Sequence, residues 1–150
     1  STSGNDAELA MLKTRSLVGE GESFIAAEEH DEALNYFRQF TTAPAPGEST
    51  VLQAAALAGT GEALFFKGSA SGDQNALREA QTALAKASIL DSSNGETTAK
   101  AMFYSGKILL ALGPDKEKGA KTRATSYFDT IARYYANTTW AAKARAEMDQ

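Results

Sequence analysis

Cysteine is absent from the chain and histidine occurs once, at His30. Without thiols there can be no disulfide, no thiolate zinc or iron–sulfur site and no cysteine nucleophile. With one imidazole there is no multi-histidine metal centre and little material for histidine acid–base chemistry. Long apolar runs are missing as well: the longest uncharged stretch, Ser49 to Gly61, falls far short of the about 20 apolar residues that a membrane span requires. No direct membrane insertion is expected from this chain. Positive charge is scarce, with 15 Lys and Arg against 19 Asp and Glu. A general nucleic-acid binder would be basic, and the one dense basic run, Lys116 to Arg123, is interrupted by Glu117 and has no glycine–aromatic motif beside it. No nucleic-acid partner is expected. Proline is limited to Pro44, Pro46 and Pro114, so little in the chain stops a helix.

What is present fits one helical domain. A chain of 150 residues can bury about two-thirds of its unfolded surface and needs neither metal nor disulfide to do so. Alanine is abundant, and apolar residues recur at three- and four-residue spacing from Ala7 onwards. Turn chemistry falls at Thr41–Gly47, Gly68–Gly72, Asp91–Gly95, Gly113–Asp115 and Asn137–Thr139. The spacing predicts helices over about 6–29, 31–42, 48–67, 73–90, 95–112, 115–136 and 139–149. Residues 1–5 read as a flexible lead-in to a single domain over 6–150, with hairpins at about 6–42, 48–90 and 95–136 and a capping helix at 139–149. An anchor upstream of residue 1 is compatible with this reading. Charge is uneven along the chain: residues 1–75 carry 11 acidic and 4 basic side chains, and residues 76–150 carry 8 acidic and 11 basic. Weak head-to-tail self-association would follow if the two halves of different molecules attract.

Two stripes repeat. Leu17, Gly21 and Phe24 are matched by Leu57, Gly61 and Leu64, then by Met102, Gly106 and Leu109. In the partner helices Ala33, Phe37 and Phe40 are matched by Ala80, Leu84 and Ala87, then by Ala124, Phe128 and Ile131. The small residue lets two backbones approach, and the large ones fill the space beside the contact. These stripes resemble the tetratricopeptide repeat (TPR). The interval from Gly21 to Ala33 is the family's usual 12 residues, whereas the second and third units carry about seven and six extra residues between their helices. The alanine-to-alanine periods of 47 and 44 also approach HEAT and armadillo lengths of about 40 to 47, which leaves that packing as the competing architecture. Ala85 to Asp91 looks like the close of a TPR second helix, with Ser92 where proline is common. Tyr127 to Tyr135, followed by Trp140 to Ala144, resembles the TPRs of bacterial envelope-assembly and division-coordinating proteins, with Ala136 in place of a proline. The resemblance implies an all-α, right-handed α-α superhelix of three antiparallel hairpins with a C-terminal cap. It favours a periplasmic or envelope-associated location over a cytoplasmic one.

Catalytic chemistry is sought and not found. His30 stands among Glu28, Glu29, Asp31 and Glu32, but these lack the glycine-punctuated alternation of a calcium loop and read as a solvated turn. Gly59-Thr60-Gly61 and Gly68-Ser69-Ala70-Ser71-Gly72 lack the Gly-Lys-Ser ending of a phosphate loop; the first reads as a packing stripe and the second as the long turn of the second hairpin. No serine–histidine–acid set is visible. Trp140, Tyr134 and Tyr135, aromatic residues at helical spacing near the end of the stack, read as core and not as a binding surface. The expectation is a chain without enzymatic activity and without cofactor or metal.

Its expected function is protein interaction. The resemblance implies that the first helices of successive hairpins line a concave groove for a peptide or partner helix. Rotating each first helix one residue off its packing stripe places Arg15, Val18, Glu22 and Ile25 there, beside Ala55, Ala58, Glu62 and Phe65, and then Lys100, Phe103, Lys107 and Leu110. Glu22 and Glu62 would face Lys100 and Lys107, with Phe65, Phe103, Ile25 and Leu110 as apolar anchors. Self-assembly, or docking of neighbouring domains in a larger and membrane-anchored protein, is the alternative.

Overall fold

The computed structural model describes residues 2–91 and 95–150, and among these all regular structure is α-helix, with no strand. Among the described residues seven helices follow one another: α1 (Thr2–Ala26), α2 (His30–Arg38), α3 (Val51–Ser71), α4 (Gln74–Leu90), α5 (Gly95–Leu112), α6 (Ala120–Tyr134) and α7 (Trp140–Met148). The expected break at Asp91–Gly95, including Ser92, lies partly outside the described residues. Helix α1 begins at Thr2, so residues 2–5 form its first turn rather than the expected lead-in.

The odd-numbered helices lie side by side in chain order, and each even-numbered helix touches the two odd ones flanking it in sequence. Three antiparallel pairs, α1/α2, α3/α4 and α5/α6, are thus followed by α7 against α5 and α6. The expected stripes are the seams of these pairs. Gly21 faces the Phe37 ring, Gly61 faces Leu84 and Gly106 faces Phe128. A β-carbon added to Gly61 would lie 2.5 Å from Leu84 Cγ, and one on Gly106 would lie 2.7 Å from Phe128 Cε1. The same contact therefore recurs in all three pairs: a glycine in the first helix receives the middle large residue of the second. Gly59 in α3 also abuts Phe37, so that ring is held between α1 and α3.

The extra residues of the second and third units are accommodated differently. Gly68–Gly72, expected as a long turn, instead continues α3 to Ser71. Gly72, at φ 72°, ends the helix in the left-handed region that glycine tolerates, and Asp73 at once caps α4 by accepting from Asn75 N at 3.0 Å and Ala76 N at 3.2 Å. In the third unit the insertion does lie between helices, because α6 starts at Ala120 and not at 115.

Helix α7 is fixed at both ends. Glu96 of α5 accepts from Thr139 N and Thr139 Oγ1, each at 2.8 Å, which satisfies donors at the helix N-terminus. Near the other end Glu147 pairs with Lys107 at 2.7 Å. Trp140 is buried as expected, but Tyr134, the last residue of α6, is exposed, and Tyr135, its C-cap, is only half-buried. His30 stacks on Phe66 at 5.9 Å between ring centroids. No group of three or more potential metal ligands occurs among the described residues.

Candidate functional site

A groove of about 630 Å³ runs along the face formed by α1, α3, α5 and α7. It brings together Arg15, Val18 and Glu22 of α1, Ala55 and Ala58 of α3, and Lys100 of α5, all six expected from the sequence. The spacing that unites the α1 residues is helical: Arg15, Val18 and Glu22, with Met11 and Gly19, follow steps of three and four and share one face. The alanines of α3 form a low floor between the walls. The opposite wall was not foreseen. It comes from Trp140 and Lys143 of α7 and from Glu96 and Thr97 at the start of α5, and Lys143 Nζ lies 4.4 Å from the centroid of the Trp140 ring. The signal available in the sequence was the cap itself, since a helix packed on α5 extends the layer of first helices.

The other expected groove residues are placed elsewhere. Phe65 and Phe103 are buried in an aromatic cluster, with Phe65 5.5 Å from Tyr104 and Phe103 5.4 Å from Trp140 between ring centroids. They pack against neighbouring helices beneath the groove, since stacking buries the faces on which they lie. Ile25 is half-buried against the same core. Lys107 pairs with Glu147 on α7, and not with a glutamate across the row. Leu110 is exposed without lining the groove.

Glu62 lies under the floor, and its position makes the electrostatics of the site. Lys100 Nζ is 2.6 Å from Glu22 Oε1 and 2.9 Å from Glu62 Oε1. The contact to Glu22 is a hydrogen bond, whereas Glu62 Oε1 lacks a hydrogen bond of good geometry despite being shut off from solvent. Burial pushes the Glu62 carboxyl up to about 7, against the pull of Lys100 and reinforced by Glu22. Glu22 is held below its ordinary value: partial burial raises it, but a hydrogen bond with Glu62 and the Lys100 charge outweigh that. Lys100 is raised, because the two carboxylates together overcome the burial of its ammonium. The Tyr104 hydroxyl faces the same group, and burial together with the Glu62 charge lifts its phenol well above the ordinary value.

The groove therefore presents two kinds of surface. Its floor carries the apolar Ala55 and Ala58, and its walls carry the cationic Arg15 and Lys143. The inner acids are engaged within the fold: Glu22 and Glu62 with Lys100, and Glu96 with Thr139. No protein-family model matches the chain, and no curated protein or solved structure matches it.

Proposed function

We propose that this chain is a non-catalytic interaction module of TPR-like, right-handed superhelical build, and that the groove between α1, α3, α5 and α7 receives a peptide or helix of a protein partner. The observation that carries this reading is the groove itself: a concavity of about 630 Å³ is of the size of ligand-binding clefts, and its walls come from four helices held by the core. The glycine-to-large seams in all three hairpins support the TPR-like reading. Binding to a preformed groove needs no chemistry from its walls, which agrees with ionisable groups that are committed to one another.

Selection of displayed peptides on the intact domain, compared with a Gly19→Trp variant, tests the proposal. Gly19 lines the groove, and nothing lies within 4 Å of a β-carbon there, so tryptophan fills the groove without overpacking the core. Peptides selected on the parent should bind the variant at least about tenfold more weakly, as happens when a central contact is blocked. Equal binding to both would place the interaction elsewhere.

A further inference from the structure

The start of α1 carries a surface that the rest of the fold leaves uncovered. From residue 4 to residue 13 no residue of α1 is buried, whereas Thr14, Leu17 and Gly21 in its later turns are. On this overhang Leu9 is 51% exposed, and Met11 and Leu12 are each 56% exposed. Glu8, Met11, Leu12 and Arg15 occupy positions i, i+3, i+4 and i+7 and therefore form one stripe about 10 Å long. Apolar residues at the middle and opposite charges at the two ends make this stripe self-complementary.

We infer that the stripe is a homotypic contact, in which the first helices of two copies of this chain pack antiparallel about a two-fold axis between Met11 and Leu12. That axis places Met11 of each copy against Leu12 of the other and Glu8 of each against Arg15 of the other, because both pairs are centred on the same point of the helix. Such self-complementarity is what an isologous interface requires. The charges are uncommitted within their own helix. Glu8 has Gly4, Asn5, Met11 and Leu12 at three- and four-residue spacing, and Arg15 has Met11, Leu12, Val18 and Gly19, so neither meets an opposite charge there. Met11 and Arg15 also border the α1 side of the groove, but the inference does not rest on the groove reading, because the contact is made along α1 alone and α3, α5 and α7 take no part in it.

Sedimentation equilibrium of the intact chain over a wide concentration range, with circular dichroism to verify folding, tests the pairing through charge exchange. The parent chain should form a concentration-dependent dimer that weakens with salt. Glu8→Arg should set Arg against Arg15 twice and Arg15→Glu should set Glu against Glu8 twice, so each single variant should dimerise at least about tenfold more weakly. An equimolar mixture of the two variants restores opposite charges at both ends of the stripe. It should dimerise as the parent does, a result that a contact made by only one end of the stripe does not give. A parent chain that stays monomeric at every concentration, as it would if a different partner covers the stripe, overturns the inference. So does a dimer indifferent to both substitutions, or a mixture no stronger than either variant alone.

Discussion

Lys100 Nζ stands 2.9 Å from Glu62 Oε1 in the interior, with the lysine 4% and the glutamate 1% exposed. A carboxylate and an ammonium so deeply buried are tolerated only together, and the second carboxylate on Lys100, that of Glu22, reaches the groove. Lys100→Met should destabilise the fold at neutral pH by up to about 3–5 kcal/mol, because it removes the cation that offsets burial of Glu62 and leaves that carboxyl unpaired in the core, to be neutralised only by taking up a proton. Adding Glu62→Leu to that variant should recover part of the loss, since an apolar side chain replaces a buried carboxyl that has lost its partner. Urea unfolding of the single and double variants measures both steps. A double variant less stable than Lys100→Met would mean that Glu62 contributes by something other than its pairing with the lysine.

The same cluster sets a pH dependence whose sign follows from proton uptake. With its carboxyl near 7, folded Glu62 holds a proton over the interval from about 4.5 to 7 in which the unfolded chain has released it. Stability should therefore increase as pH falls from 8 towards 5, by up to about 1.4 kcal/mol per pH unit within that window. Glu22 acts in the opposite sense: its carboxyl is held low in the fold, so the stability it contributes above about 4.5 is lost at more acid pH. Thermal melts should show a maximum near pH 5, and Glu62→Gln should remove the rise between 8 and 5. A variant with an unchanged slope would assign the effect to another group.

Phe65 and Phe103 mark where the sequence stops being informative. Their spacing places them on the same helix faces as Ala58 and Lys100, and that much holds. Whether such a face meets solvent or the next helix depends on how each pair rotates against its neighbour, which local periodicity does not contain. The glycine seams were legible because both halves of each contact recur at fixed intervals in three units. The wall supplied by Trp140 and Lys143 was not, since it depends on α7 docking beside α5. Likewise the signs of Glu62 and Lys100 could be read, but not their depth.

From that burial a definite outcome follows for the aromatic pair. Phe65→Ala and Phe103→Ala should each cost about 3–5 kcal/mol, as large-to-small changes in a packed core do, and each should lower the thermal midpoint sharply. Leu110→Ala, at an exposed position, should change stability by no more than about 0.5 kcal/mol. Equal, small effects from all three would return the phenylalanines to the surface.

The seams themselves can be tested with the smallest possible addition, a single methyl. Alanine normally improves on glycine within a helix by about 1 kcal/mol, so Gly→Ala should stabilise wherever space is free. Gly19, with nothing within 4 Å of a β-carbon, is such a place, and Gly19→Ala should raise stability by about 0.5–1 kcal/mol. Gly61 and Gly106 are different, because the new methyl would press on Leu84 and Phe128 while the carbonyl oxygens of Ala80 and Ala124, at 3.3 and 3.4 Å, close the other side. Overpacking of about 1–3 kcal/mol should then outweigh the helical gain. Gly21→Ala meets the Phe37 ring, which Gly59 confines from α3, so that ring has no room to retreat. Calorimetric midpoints should fall for the three seam variants and rise for Gly19→Ala. If all four rose together, the helix pairs would not be closed by these glycines.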